Sequence, residues 1–269
     1  MAVSGVGGST GACVEGLRRL QYRGYDSYGF AWARQGCIDR LRSLEALDDL
    51  VEILPEAPAA LGHTRWATHG GVTLANCHPH LAEGDRFALA HNGIVENYQA
   101  LQHEAEGVPA DESDTRVIVR LLAAELSRGT DRGTAVRAVC GRLRGRNTVV
   151  VLFDDGELFG YRHGSPLVLG DGGEMVFLAS DALSFAPRTR RCFLVPDKAL
   201  VRIRGTGIAV SGEGNNAIAL RWEDAGFEDD DFGKDGHPHF MIKEVMEQWR
   251  TIPQQATLTR DALDGLCSA

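Results

Sequence analysis

The chain has no C-x-x-C pair, no Pro-rich linker, no internal repeat and no apolar stretch near the ~20 residues that a membrane-crossing helix needs. Its six cysteines, Cys13, Cys37, Cys77, Cys140, Cys192 and Cys267, are scattered. That scatter fits reduced, mostly buried thiols rather than a disulfide framework or a zinc site. The first residues show no basic region followed by an apolar run, so no secretory leader is expected. A net charge of -9 and a pI near 5.5 argue against a nucleic-acid partner. Short basic runs such as Arg188-Thr189-Arg190-Arg191 read as solvated loops. Gly5, Gly7 and Gly8 are not followed by G-x-x-x-x-G-K-[ST], which excludes a phosphate loop of that type. The expectation is a cytoplasmic enzyme or binding protein without membrane contact.

What is present is ordinary in bulk. The 269 residues are 43% apolar and 24% charged, enough for a substantial core. Val14, Leu17 and Leu20 recur at helical spacing, so a helix is predicted over 14–20. Strands are predicted over 28–33, 59–65 and 87–91, the last running into Asn92-Gly93, a dipeptide that favours a turn. Ser113 or Asp114 is placed to cap a helix with Val117, Ile118, Leu121, Leu122 and Leu126 inward, ending near Gly129. A second helix is expected over 135–143, then strands over 148–153, 174–179 and 199–203. Strands, then helices, then strands again imply a layered sandwich rather than a βαβ repeat. The acidic run from Glu228 to Asp231 reads as a loop, and His239 to Glu247 as a helix. One domain over residues 1–250 with a tail over 251–269 is expected.

Four stretches carry most of the functional information: Arg23-Gly24-Tyr25-Asp26-Ser27, His63-Thr64-Arg65-Trp66-Ala67-Thr68-His69-Gly70, His91-Asn92-Gly93 and Ser113-Asp114-Thr115. Singly, each has a plain structural use as an ion pair, a core aromatic, a turn or a helix cap. Together and in this order they resemble the glutaminase domain of the glutamine–fructose-6-phosphate aminotransferases, a class II glutamine amidotransferase domain of N-terminal-nucleophile hydrolase type. Gly164-Ser165-Pro166-Leu167-Val168, Ala179-Ser180-Asp181 and His239-Phe240-Met241-Ile242-Lys243-Glu244 extend the likeness over nearly the whole chain. Trp249, where that family usually has proline, and a shorter first loop depart from it. The resemblance implies an α+β fold, a four-layer αββα sandwich, no cofactor and no metal. In that family the tail leads into two sugar-phosphate isomerase domains, which this sequence does not reach.

Release of ammonia from a carboxamide needs a nucleophile, a base and donors for the oxyanion. In N-terminal-nucleophile hydrolases the first residue supplies both side chain and base, because an α-amine titrates at ~7.7–8. The resembling family begins Met-Cys-Gly-Ile, whereas the second residue here is Ala2, the expected position of a lost nucleophile. Whether that loss is natural or engineered stays open at this point. Ser4, in Ser4-Gly5-Val6, and Cys13, the nearest thiol, are the two candidate replacements. By resemblance Arg65 would pair with the α-carboxylate of glutamine, as a bidentate guanidinium suits, and Asp114 would hold the α-ammonium. Thr68 and His69 would line the same wall, and Asn92 with Gly93 would form the oxyanion hole. Arg23 would order the N-terminus, and Trp66 would cover the nucleophile. Cys77-His78-Pro79-His80 offers metal-ligand residue types but too tight a cluster for a tetrahedral set.

Three functions follow from these residues: a glutaminase, intact or disabled; a pseudoenzyme that binds glutamine or a related amino acid; and a repurposed amide hydrolase or acyltransferase acting on an amino-acid conjugate. The sequence does not reach acceptor domains, so any ammonia made would be used by a separate synthase subunit, or the sequence is one domain of something longer.

Overall fold

The computed structural model describes residues 1–50, 54–66, 71–84, 86–105, 113–226, 236–237, 242–243, 245–249 and 252. The chain divides into two compact units, Met1–Phe227 and Glu228–Ala269. In the second, residues 242–243 and 245–249 are helical, within the stretch read as a helix. The Glu228–Asp231 run lies outside the described residues, as does the tail apart from Ile252.

The first unit begins with β1 (Ala2–Gly5), α1 (Ser9–Arg19), β2 (Ser27–Arg34), β3 (Cys37–Ser43), β4 (Ala59–Arg65), β5 (His80–Leu81) and β6 (Phe87–Gly93). Helices α2 (Tyr98–Gln102), α3 (Asp114–Ser127) and α4 (Arg132–Cys140) follow. The remaining strands are β7 (Asn147–Phe153), β8 (Leu158–His163), β9 (Val168–Asp171), β10 (Met175–Ala179), β11 (Arg191–Leu194), β12 (Leu200–Arg204), β13 (Gly207–Ser211) and β14 (Glu223–Asp224). One sheet has eight strands in the order β14-β11-β9-β10-β1-β4-β2-β3, the other six in the order β13-β12-β8-β7-β6-β5.

Period-two alternation sorts the side chains of these strands into separate cores. In β2, Ala31 and Ala33 face the interior between the sheets, while Phe30 and Trp32 face outward onto α1. In β7, Val150 and Leu152 join the inter-sheet core, while Val149, Val151 and Phe153 pack under α3 and α4. Helix α3 supplies Val117, Ile118, Leu121 and Leu122 to that outer core, as its apolar spacing dictates. Helix, sheet, sheet, helix is therefore the layer order: the α+β, four-layer αββα sandwich.

Some local expectations shift. Asn92 and Gly93 do not turn; they continue β6 and pair with Thr148 and Asn147 of β7. Ser113 is the N-cap of α3, but its side chain makes no capping hydrogen bond, and its Oγ lies 3.4 Å from His80 Nε2 instead. At Gly29 a Cβ would fall 2.2 Å from the backbone carbonyl oxygen of His78. Because no flexible side chain can yield there, Gly29→Ala is expected to destabilise the fold by about 2 kcal/mol. A shift in the urea midpoint would measure it, and an unchanged midpoint would contradict this packing.

Candidate active site

Where β1, β4 and β6 approach the start of α3, the first unit encloses a cavity of about 940 Å³. Met1, immediately before β1, lines it, together with His63 and Arg65 of β4 and Asn92 and Gly93 at the end of β6. Asp114 and Thr115 of α3 line it as well, as do Arg23 and Trp66. Four separate sequence motifs thus meet on one concave surface.

Arg65 is nearly buried, and one of its guanidinium nitrogens donates to the Gly71 carbonyl at 3.1 Å. Asp114 Oδ2 accepts from the Val95 backbone N–H at 2.8 Å, which ties the start of α3 to the segment after β6. A guanidinium and a carboxylate on one cavity match the zwitterionic head of an amino acid in charge and in hydrogen-bonding sense. Gly93 has φ of +144°, and a Cβ there would lie 2.0 Å from the Arg146 carbonyl oxygen, so only glycine fits. Arg23 reaches Asp181 Oδ2 at 3.5 Å, and Trp66 stands half exposed with its ring 5.8 Å from that of Tyr25. Thr68 and His69 lie outside the described residues.

The chain start differs from the reading that put the missing nucleophile at Ala2. Ala2 is 0% exposed, pairs with Leu178 on one side and Leu61 on the other, and packs in the inter-sheet core. It does not line the cavity; the residue before it does. The Met1 amine donates to the Gly62 carbonyl at 2.7 Å, and burial holds its pKa below the ordinary value. The side chain lies against Gly16, where a Cβ would come 2.1 Å from the Met1 sulfur. Ser4 is also buried, its hydroxyl donating to the Gly205 carbonyl at 2.8 Å. Cys13 is fully buried beside the Met1 carbonyl, and burial pushes its thiol up to about 12. Neither lines the cavity.

A group of histidines, three of which line the cavity, has an importance the sequence did not disclose. The His63 and His78 rings are 4.4 Å apart, and those of His78 and His80 4.7 Å. His91 Nε2 sits 2.9 Å from Asn147 Oδ1, and Asn147 Nδ2 donates to the Arg144 carbonyl. The Asn147 amide is thereby oriented with its oxygen toward His91, so His91 carries its proton on Nε2. Its Nδ1 then accepts from the Thr115 hydroxyl at 3.1 Å. His78 Nδ1 accepts from the His91 backbone N–H at 3.4 Å. Burial is the first cause that lowers the pKa of all four, with cationic Arg65 adding to the effect on His63 and His78. Among the described residues, no group of three or more His, Cys, Asp or Glu side chains could hold a metal ion.

The family model for class II glutamine amidotransferases matches residues 49–190. The glutamine–fructose-6-phosphate aminotransferase of Streptomyces coelicolor is 41% identical over 250 residues, covering 89% of this chain and 40% of that protein. That of Gluconobacter oxydans is 37% identical over 250 residues, covering 89% and 41%. The chain therefore spans about two fifths of the length of these relatives. The glutamine phosphoribosylpyrophosphate amidotransferase of B. subtilis superposes with a TM-score of 0.69 at 20% identity, covering 78% of this chain and 48% of the other. A structure described as the allosteric regulatory enzyme of purine biosynthesis gives 0.70 at 22% identity, with the same coverages. These two likenesses concern the fold, which is that of the N-terminal-nucleophile hydrolases. From the matched family model, the close relatives and the shared sandwich, the chain belongs to the class II glutamine amidotransferases.

Proposed function

We propose that the first unit binds L-glutamine, or a closely related amino acid, and that this chain does not turn it over. Arg65 takes the α-carboxylate, Asp114 the α-ammonium, and the side chain runs toward Asn92 and Gly93 with its distal carbonyl at the oxyanion donors. Arg23 steadies the chain start, and Trp66 covers the cavity mouth. The observation that carries this reading is the position of Met1: it lines the cavity with Asn92 and Gly93, where attack on the distal carbonyl has to originate. A nucleophile and its oxyanion donors must both reach one reacting atom, about 3 Å away. A thioether offers neither thiolate nor hydroxyl, so the buried amine has no nucleophile to serve.

In a cysteine-bearing form the same pocket would hydrolyse glutamine to glutamate and ammonia for amino-sugar synthesis, as the names of the aminotransferase relatives suggest. In the chain at hand the reading is a binding module that regulates or completes a separate synthase. Calorimetric titration of L-glutamine into Arg65→Met and Asp114→Asn tests the two head-group contacts. Each is expected to weaken binding by about thirtyfold, in line with ~2 kcal/mol for a charge-assisted hydrogen bond, while the urea midpoint stays near that of the parent. Unchanged affinity in both variants would overturn the assignment.

A further inference from the structure

The oxyanion donor has a partner of its own. His63 Nε2 lies 2.9 Å from Asn92 Oδ1, joining the ends of β4 and β6 across the two sheets. The contact has two possible hydrogen arrangements, which differ in what the cavity sees. With the proton on Nε2, His63 donates to Oδ1 and the Asn92 NH2 faces the cavity. With the proton on Nδ1, the amide would have to turn, presenting its oxygen to the cavity and repelling a developing oxyanion. His63 Nδ1 is buried and has no hydrogen-bond partner. An orphaned N–H there is rarer in folded proteins than an orphaned lone pair, which favours the Nε2–H form. The His78 ring packs beside that of His63, tilted by 41° with centroids 4.4 Å apart. Among the described residues Asn92 Nδ2 makes no hydrogen bond, so it is available to a ligand.

We propose that His63 is a positioning residue that holds the Asn92 carboxamide with its NH2 turned into the cavity, so that the site offers a donor to the distal oxygen of the bound amino acid. The role of His63 rests on the glutamine-binding reading above, while its tautomer does not. The pocket thereby selects side chains ending in a carbonyl over apolar ones of similar length.

The test combines a spectroscopic readout with a mutant cycle. Nitrogen-detected NMR of the full chain, with His63 assigned by comparison with His63→Phe, is expected to report the Nε2–H tautomer. The Nδ1–H tautomer would overturn the proposal even if glutamine does not bind. In calorimetry, His63→Phe is expected to lower L-glutamine affinity about fivefold to tenfold, the size of one neutral hydrogen bond. L-norleucine, which lacks the distal amide, should bind the parent and His63→Phe equally. His63→Gln, whose amide can donate to Oδ1, should restore most of the glutamine affinity. In an Asn92→Ala background the effect of His63→Phe should vanish. Equal losses for glutamine and norleucine, or full additivity with Asn92→Ala, would make His63 a packing residue only. No glutamine binding by the parent, with the Nε2–H tautomer present, would instead overturn the glutamine-binding reading.

Discussion

Inserting one cysteine between Met1 and Ala2 is expected to give a chain that releases glutamate from L-glutamine, while Ala2→Cys is expected to release none. Removal of Met1 from the insertion variant leaves the new cysteine at the position Met1 now fills, beside the cavity that Asn92 and Gly93 line. Its α-amine would inherit the environment in which burial lowers the pKa of the Met1 amine, which favours the neutral form that can take the thiol proton. Ala2→Cys keeps the thiol in the inter-sheet core, because Ala2 is held in register with Leu178 and Leu61. A one-residue slip of β1 would reverse the facing of every side chain in it and break both ladders. Loss of a nucleophile costs on the order of 10⁶ in turnover where it has been measured, so even a poorly seated cysteine should raise glutamate release by a factor of about 10³ over the parent. Glutamate release, with intact mass taken to fix the first residue, reads the outcome. Activity in Ala2→Cys and none in the folded insertion variant would reverse the assignment of Met1 to the nucleophile position.

Acid should unfold this domain more readily than its carboxylates alone would require. His78, His80 and His91 are each 5% exposed or less, and burial lowers their folded-state pKa values below the imidazole value of 6.5. His78 faces His63, His80, His91 and Arg65; His80 faces Arg116, Arg42 and Arg40, which oppose a second positive charge. His91 has two opposing influences, since nearby Asp114 and the hydrogen bond to Asn147 both favour its charged form. Below pH 6.5 the unfolded chain binds protons that the folded chain refuses. Stability is therefore fully present above that value and falls as pH drops toward the folded-state values, by at most about 1.4 kcal/mol per pH unit for each histidine. Between pH 7.5 and pH 5.5 the three together remove at most about 4 kcal/mol. Urea midpoints at the two pH values measure this, and His80→Phe should reduce the dependence by about one proton's share. A flat midpoint would mean that these rings accept protons without cost.

Much of the sandwich was legible because period and composition agreed. The β4 range was read to the residue, and β2, β6, β7 and α3 were read to within a few, since Val, Ile, Leu, Phe and Ala alternate or recur at the spacing each element needs. Strand β1 was not read as one: Ala2-Val3-Ser4-Gly5 is short and small, and becomes a strand only because β4 and β10 flank it. Polar β3 forms through full pairing with β2, which no local pattern announces. Asn92-Gly93 has the composition of a turn, yet β7 extends beside it and the pairing prevails.

Of the candidate site, Arg65, Asn92, Gly93 and Asp114 were legible through their motifs, and they line one cavity. Processing logic pointed to Ala2 as the position of the lost nucleophile, whereas strand register puts the side chain of Met1, and not that of Ala2, on the cavity. The histidine group was illegible for another reason. His63, His78, His80 and His91 come from β4, the segment before β5, β5 and β6; the pairing of β5 with β6 brings the last three together, and the facing of the two sheets adds His63. Of these, His63 stood in plain sight inside a motif, without any sign that it holds Asn92.

The central claim, that the cavity recognises the head of an amino acid between Arg65 and Asp114, is tested most directly by titrating the purified chain with L-glutamine and with its two decapitated analogues, glutaramate and 4-aminobutanamide. Saturable one-to-one binding of L-glutamine, with each analogue weaker by tenfold or more, is the expected result. No saturable binding of L-glutamine, or equal binding of all three, would contradict it.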